Sequence, residues 1–293
     1  MREKWMFLTI LVVIMVGFQG CTKTWTEKTV VYQTPNWTSD GKVIFIENLW
    51  VYQHEKKFLF PQNGWQIYQE LWLWECNSDG TGMNRIGLLF SAEPSTGNPT
   101  NTSSAGDWVT FSIGDTKEIY IVKRDGTELK KVGEGTYPDF SPDAEKIVYQ
   151  KPEQGIWIIN RDGSGEHSVW GDSLNKMPSW CSDGDRIAME HDEGWGNVDV
   201  WIVDTTGNNK VKLLDTDFHY SIGPFVWAPV DTNGLVIYNT IYYLESFAQV
   251  DTIRELPSAS YRGWSSDGAF FTGTDADGIF VMKVDGTGKI HIK

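Results

Sequence analysis

The stretch Tyr137–Val169 constrains the fold most, because it reads as four short strands joined by tight turns. Its apolar and β-branched segments, such as Ile147–Tyr149 and Ile156–Asn160, are bounded by Pro, Asp and Gly. This alternation is typical of antiparallel strands connected in sequence. Four strands within about forty residues form one compact sheet, and the rest of the chain repeats the same unit.

The clearest repeat is the third strand of the unit together with the turn that follows it. Five segments share an aliphatic start, an aromatic second residue and a closing glycine: 73–80, 119–126, 156–163, 200–207 and 279–286. Their aromatic residues are Trp74, Tyr120, Trp157, Trp201 and Phe280. The last gap is about twice the usual spacing, so we expect a hidden copy between Asn208 and Arg254.

A second repeat marks the first turn of each unit. It appears at Trp37–Gly41, Phe140–Asp143, Trp180–Gly184, Trp227–Pro229 and Trp264–Gly268, with a weaker copy at Ser103–Gly106. These copies bring the number of units to six. The sequence therefore predicts an all-β chain folded as a six-bladed β-propeller of four-stranded antiparallel blades.

The Trp-Ser-x-Asp-Gly turn, a short strand and the aliphatic–aromatic segment with its Asp-Gly turn resemble the TolB-type (WD-repeat-like) β-propeller repeat. The resemblance covers about residues 35–292, with the third unit the best copy and the fifth the most divergent. It implies the propeller fold. The same repeat occurs in prolyl-oligopeptidase-like proteins and in oligouronide lyases, so it is compatible with a binding module and with an enzyme.

The chain begins with a segment that reads as a targeting signal. Arg2 and Lys4 precede an apolar run over Trp5–Val16 that is short for a membrane span. Phe18–Cys21 then resembles a bacterial lipobox, in which the cysteine is acylated and becomes the first residue. An ordinary secretory signal or an uncleaved anchor is the alternative. We predict a lipoprotein signal peptide over 1–20, an acylated Cys21 with a short tether over 21–28, and the propeller over 29–293.

Charge and cysteine content exclude some classes of function. The formal net charge is −14 at pH 7 and no basic stripe is present, which argues against nucleic-acid binding. Cys76 takes an aliphatic position of the repeat and Cys181 lies in a turn. Three units separate them, so we expect no disulfide, and neither has the spacing of a metal site.

The long insertions all fall on one face of the predicted ring. In a four-stranded meander, the first-to-second and third-to-fourth turns emerge on one face, here called the tight-turn face. The second-to-third loops and the links between blades emerge on the other, here called the long-loop face. The insertions on the long-loop face are 47–71, 87–102, 190–199 and 215–225. Variable loops on a rigid scaffold usually carry binding sites, so we predict binding on the long-loop face.

The same face collects aromatic, histidine and acidic side chains. Exposed aromatic residues of this kind anchor protein interfaces. In the first insertion, an alternative interpretation is an extra hairpin that packs against its own blade. The predicted binding residues are Trp50, His54, Trp65, His191, Asp192, Glu193, Trp195, His219 and Tyr220.

A catalytic site is not indicated. Histidine and carboxylate side chains such as His191, Asp192, Glu193 and His219 suit Zn or Mn, and lyases with this repeat hold a metal on propeller histidines. The sequence nevertheless has no His-x-His or His-Glu-x-x-His spacing and no Gly-x-Ser-x-Gly elbow. We expect no cofactor.

We interpret the chain as an exported, lipid-anchored, non-catalytic propeller that serves as a protein-binding scaffold in the bacterial cell envelope. It would be held to the membrane by its lipid and face the periplasm or the cell exterior. The alternative is a propeller that binds carbohydrate or a small ligand, or a metal-dependent lyase-like propeller, on the same long-loop face.

Two local expectations follow from the repeat. Thr29–Tyr32 reads as a fourth strand, so we expect it to pair with Lys289–Ile292 and complete the last blade with both ends of the chain. Ala144 takes the place of the glycine that closes the other first turns, so we expect it to adopt a positive φ.

Overall fold

Strands and tight turns make up the regular structure. The computed structural model describes residues 22–57, 63–92, 97–193, 197–215, 223, 225–229, 233–245 and 249–293. These residues form six four-stranded antiparallel sheets, each built from four consecutive strands. None of them belongs to a helix long and apolar enough to cross a membrane. The predicted six-bladed β-propeller is confirmed.

The strands of the six blades follow one another along the chain. Blade one contains β1 Thr22–Trp37, β2 Lys42–Lys57, β3 Asn63–Asn77 and β4 Asn84–Ala92. Blade two contains β5 Pro99–Ala105, β6 Trp108–Ile113, β7 Glu118–Lys123 and β8 Lys130–Glu134. Blade three contains β9 Thr136–Phe140, β10 Lys146–Lys151, β11 Gly155–Asn160 and β12 His167–Trp170.

The second half of the ring repeats this order. Blade four contains β13 Asn175–Trp180, β14 Arg186–Asp192, β15 Val198–Asp204 and β16 Lys210–Leu214. Blade five contains β17 Val226–Trp227, β18 Gly234–Ile237, β19 Thr240–Leu244 and β20 Val250–Glu255, which is the hidden copy. Blade six contains β21 Ser260–Trp264, β22 Phe270–Asp275, β23 Gly278–Lys283 and β24 Ile290–His291.

The first strand of each blade lies nearest the axis. β1, β5, β9, β13, β17 and β21 each contact the next of these strands, and β21 contacts β1. The later strands of each blade lie progressively farther out. Six inner strands therefore surround a central channel.

The apolar core is divided among the six seams between blades. Ile44 and Leu73 of blade one pack against Phe111 of blade two, for example, and corresponding clusters fill the other seams. Both faces of each blade are covered, which explains why neighbouring residues such as Ile44 and Phe45 are both fully buried. Burial of both faces is the reason why strand segments here are apolar runs rather than strict alternations.

The ring closes by side-chain packing and not through a shared sheet. β1 pairs with β2, whereas β24 pairs with β23, so the expected pairing of Thr29–Tyr32 with Lys289–Ile292 is wrong. The register with β2 runs along β1 from Thr22 to Trp37, interrupted only by a bulge. Tyr32 instead packs in one cluster with Ile279 and Ile292.

Blade one projects beyond the ring on the long-loop face. Its first three strands have 16, 16 and 15 residues, whereas no strand among the described residues of blades two to six exceeds seven. The excess is about nine residues, or roughly 30 Å of strand. We call residues 22–30, 49–57 and 63–69 the blade-one extension. The predicted tether over 21–28 is therefore corrected, because from Thr22 onward these residues pair with β2.

Candidate functional site

Bulges in the inner strands change the direction of side chains beside the channel. Thr34, Tyr137 and Met177 each precede a proline and have φ values of 49°, 54° and 49°. Each lies where its strand shifts register against the next one. β21 has a comparable shift between Tyr261 and Gly263, which leaves Arg262 as the extra residue. Bulges of this kind commonly redirect side chains at functional sites.

A cavity of about 530 Å³ occupies the end of the channel at the tight-turn face. Its rim is formed by first-turn residues such as Ser39, Pro142 and Ser266. A volume of several hundred cubic ångströms is typical of sites for small ligands. Its polar and charged wall includes Asn36, Asn101, Ser103, Asp139, Ser179 and Arg262.

Hydrogen bonds between neighbouring inner strands hold the wall in place. Asn36 Nδ2 donates to the Thr102 carbonyl over 3.0 Å, and Asn101 Nδ2 donates to the Pro138 carbonyl over 3.2 Å. At the next seam, Ser179 Oγ donates to Asp139 Oδ2 over 3.0 Å. Four side chains of the wall, those of Asn36, Asn101, Asp139 and Ser179, therefore already have fixed partners.

Asp139 and Arg262 are the two ionisable residues of the cavity wall. Burial raises the pKa of Asp139, although Ser103, Ser179 and the Trp180 amide oppose the shift by hydrogen bonding. Burial lowers the pKa of Arg262, and the nearby Tyr137 only partly offsets this effect. Arg262 Nε is buried without a hydrogen-bond partner, and no ion pair of Arg262 occurs among the described residues.

The blade-one extension carries two of the predicted binding residues. Trp50 and His54 lie on one face of β2, opposite Thr29 and Trp25 of β1. The His54 and Trp25 rings stack with centroids 5.1 Å apart, and His54 Nε2 lies 2.9 Å from Glu27 Oε2. These side chains are half-buried, so part of each aromatic surface is exposed. Trp65 lies opposite Gln53 in the same sheet.

The predicted residues of blade four have structural partners. The His191 ring stacks on Trp170 at 5.3 Å, and its Nδ1 lies 2.7 Å from Asn175 Oδ1. Asp192 pairs with Lys176 at 3.0 Å. These contacts fix His191 and Asp192 against their own blade and its neighbour.

Glu193 also has a structural partner, since it pairs with Lys212 at 2.9 Å. Hydrogen bonds from Lys212 to Asp199 and Glu193 raise the pKa of that lysine. Four other predicted residues lie outside the described part of the chain: Cys21, Trp195, His219 and Tyr220. Their roles stay predictions.

One grouping of possible metal ligands occurs within the described residues, namely Asp275, Asp277 and His291. Lys289 forms an ion pair with Asp275, and His291 Nε2 lies 3.0 Å from the same carboxylate. The Asp275 carboxylate is thus already engaged by two neighbours. His191, Asp192 and Glu193 do not form such a grouping.

Sequence reasoning missed the cavity and Arg262. The signal was a departure from the repeat, because Arg262 stands two residues before Trp264 where other blades have proline. Pro35, Pro138 and Pro178 hold that place before Trp37, Phe140 and Trp180. The cavity also opens on the tight-turn face, opposite to the predicted binding face.

No protein-family model matches the sequence, and no curated protein was found to match it. Several solved structures match the fold. A chain of the nidogen/laminin complex is 12% identical, with a TM-score of 0.57, over 91% of this chain and 92% of that one. At such identity, the similarity shows the propeller fold alone.

Two further matches have lower TM-scores. TolB from Acinetobacter baumannii is 15% identical with a TM-score of 0.49, over 89% of this chain and 53% of that one. The chain thus spans about half the length of that TolB structure. Oligogalacturonate lyase from Vibrio parahaemolyticus is 10% identical with a TM-score of 0.49, over 94% of this chain and 98% of that one.

Proposed function

We propose that the chain is an exported, lipid-anchored, non-catalytic propeller that acts as a protein-binding scaffold in the bacterial cell envelope. The observation that carries this proposal is the blade-one extension. It lengthens three strands of one blade well beyond those of the repeat, and it lies on the long-loop face, where variable segments of a rigid scaffold usually bind.

The two faces of the extension differ in a way that favours a protein partner. Leu49 and Val51 point to one side and are buried. Trp50, Tyr52 and His54 alternate with them and are half-buried on the other side. Partly exposed aromatic rings on a rigid sheet offer a large contact area at low conformational cost, which is typical of interface anchors.

Other observations support a non-catalytic role. His191, Asp192 and Glu193 are engaged in stacking, a hydrogen bond and ion pairs that hold blade four together. A matching solved structure, the nidogen/laminin complex, is itself a complex of two proteins. Export and acylation are supported by the lipobox-like Phe18–Cys21.

Acylation is tested by metabolic labelling with a tagged palmitate analogue in a bacterial host. We expect the full chain to incorporate label and to partition into the detergent phase. Cys21→Ser should abolish both, whereas Cys76→Ser should change neither, because Cys76 is buried in the seam between blades six and one. Label that persists in Cys21→Ser would rule out this anchor.

Partner binding is tested by crosslinking in intact cells, with tagged full-length chain as bait. Trp50→Ala combined with Tyr52→Ala should lose crosslinked partners, because removing an interface aromatic costs about 2 kcal/mol or more. Trp157→Ala is the matched control, since Trp157 is a half-buried tryptophan of blade three. Thermal melts of each variant verify the fold.

Two outcomes of the crosslinking experiment would contradict the proposal. If the double variant keeps the same partners, the extension is not the interface. If the purified chain binds a polysaccharide or a metal ion and captures no protein, the carbohydrate- or metal-dependent alternative is favoured instead.

A further inference from the structure

Arg262 stands out among the inner-strand residues by its position in the repeat. It is the extra residue of a bulge in β21, at a place where three other blades have proline. Gly263 follows it, and a side chain there would come within 3.0 Å of Asn36 Oδ1 and 3.1 Å of Trp37 Cδ1. Blade six thus departs from the repeat at two successive residues, both of which line the cavity.

The protein supplies no counter-ion for this guanidinium. Arg262 Nε is buried and lacks a hydrogen-bond partner, and none of the ion pairs among the described residues involves Arg262. Desolvation of the cation is reflected in a lowered pKa, although an arginine stays charged at neutral pH. The side chain as a whole is half-buried, and a partly desolvated charge without a counter-ion is costly to retain, which favours a role other than stabilising the fold.

The rest of the wall is neutral or already satisfied. Asp139 accepts hydrogen bonds from Ser179 Oγ and from the Trp180 amide at 3.0 and 2.6 Å. The amide of Asn36 and the hydroxyl of Ser103 also line the space, and its rim is built from serine, proline and tryptophan. The cavity therefore combines one unpaired cation with polar groups and apolar ring edges.

We propose that Arg262 is the anchor of a binding site for a carboxylate group in the central cavity. The planar guanidinium matches a carboxylate geometrically. A single positive charge balances a monoanion, whereas a phosphate dianion would bring a second charge without a partner into a half-buried site. The carboxylate belongs either to a small organic acid or to an aspartate or glutamate side chain of a bound protein.

This site is separate from the surface assigned to the scaffold function. The cavity opens on the tight-turn face, whereas the blade-one extension projects from the long-loop face. Failure of one proposal consequently leaves the other standing, because substitutions at Trp50 and at Arg262 affect opposite faces of the ring.

The experiment measures thermal stability and NMR titrations of the full chain with sodium acetate, glucuronate and an N-acetylated aspartyl peptide amide. Sodium chloride at matched ionic strength is the reference. A carboxylate at about ten times its Kd should raise the Tm by about 3–5 °C. Tighter binding of the peptide than of the free acids would identify a protein side chain as the source.

Arg262→Met should abolish the rise in Tm and weaken binding at least about tenfold. It should also raise the Tm of the ligand-free protein slightly, because it removes a partly buried charge that has no counter-ion. Arg262→Lys serves as a second variant and should bind more weakly than the wild type, since it lacks the planar fork. Arg254→Gln, on the outer strand β20, removes the same charge elsewhere and should respond like the wild type.

The proposal is overturned if the wild type shows no carboxylate-specific rise in Tm, or if Arg262→Met keeps it. Inorganic phosphate that binds more tightly than every carboxylate probe would overturn the assignment of the ligand group.

Discussion

At the scale of single residues, the first turns show that geometry rather than residue type sets the backbone. Gly41, Ala144, Gly184 and Gly268 have φ values between 59° and 82°. In each, the amide donates to a carbonyl three residues earlier, at 2.8–3.1 Å. The expected positive φ of Ala144 is confirmed. Its methyl group is buried, which offsets part of the strain that a Cβ carries in this conformation.

Gly184→Ala should destabilise the protein by about 1 kcal/mol through this strain alone. A Cβ at Gly184 would meet nothing within 4 Å, so packing does not contribute. Gly133→Ala is the control, because φ is not positive there and the nearest atom would be Ile159 Cδ1 at 3.5 Å. Urea denaturation of both variants is the measurement. Equal effects would mean that the left-handed turn carries no cost.

Glu75 contributes to the loss of folding stability at acid pH. Burial alone would raise the pKa of Glu75, but Lys42 and Arg124, each 2.5 Å away, lower it below its usual value. The stabilising contribution of Glu75 is therefore present above the pKa that Glu75 has in the unfolded chain. It is lost as the pH falls through the lower pKa of Glu75 in the folded protein. Arg124 belongs to blade two, so this ion pair crosses a seam.

Glu75→Gln should cost about 1 kcal/mol at pH 7 and much less near pH 3. Denaturant melts of both proteins across this range are the measurement. Asp79→Asn is a control in the turn after β3, since Asp79 is bonded only within its own turn. Parallel stability curves for wild type and Glu75→Gln would show that the pair does not depend on ionisation.

At the scale of elements, the junction between inner strands β9 and β13 depends on Asp139. The carboxyl accepts from Ser179 and Trp180 of the neighbouring blade. Burial is the largest influence on its pKa and raises it. The pKa of Asp139 is therefore higher in the folded protein than in the unfolded chain. Its stabilising contribution is complete below the pKa of the unfolded chain and is lost as the pH rises through the pKa of the folded protein.

Asp139→Asn should therefore gain stability relative to the wild type as the pH rises from about 4. The amide oxygen can still accept both hydrogen bonds, so little should be lost at low pH. Asp139→Leu should destabilise at every pH, because it leaves Ser179 and the Trp180 amide without an acceptor. Urea denaturation of the three proteins across the pH range is the measurement. The prediction is contradicted if the stability of the wild type rises relative to that of Asp139→Asn as the pH increases.

Elements with the full repeat could be predicted from the sequence, because an aromatic residue and an Asp-Gly turn at a constant spacing define strand and register together. β11 with Trp157 and the turn after it is an example. The long course of β1 was not predictable in the same way. Thr29–Tyr32 alternates as any strand does, and only the length of β2 decides which neighbour it pairs with.

At the scale of the whole molecule, one seam differs from the other five. Blades one to six are joined in order by the chain, but blade six meets blade one only through contacts such as Phe45 with Ile279 and Val281. A Ser266 hydroxyl also donates to the Ser39 carbonyl over 3.3 Å. As at the other seams, the two blades share no strand here, but at this seam no link between consecutive strands joins them either.

We expect the ring to open first at that seam. Native-state hydrogen exchange in low urea should show weaker protection at Phe45 and Ile279 than at Ile119 and Ile147, which flank the seam between blades two and three. Phe45→Ala should lower the free energy of unfolding by about 3–5 kcal/mol and loosen this seam. Hydrogen exchange should then accelerate mainly in blades one and six.

Phe111→Ala is the matched control, since Phe111 is equally buried in the seam between blades one and two. It should lower global stability without singling out blade six. Uniform protection of all six blades, or the same exchange pattern in both variants, would contradict opening at the closing seam.

The candidate site could not be read from the repeat, because it exists only when distant parts of the chain converge. Asn36, Asp139 and Arg262 belong to blades one, three and six, so no single unit of the repeat contains the site. Binding was predicted on the long-loop face because the insertions on that face are visible in the sequence. A cavity formed by short turns leaves no comparable insertion, and only the missing proline at Arg262 marks it.

The start of β1 at Thr22 has a mechanical consequence for the proposed anchor. With a lipid on Cys21, the first paired residue follows at once, and no slack chain lies between bilayer and sheet. The extension would then act as a stiff pillar of roughly 30 Å, which fixes the height and limits the tilt of the ring above the membrane. The mouth of the channel would face away from the lipid, toward molecules that approach from the opposite side.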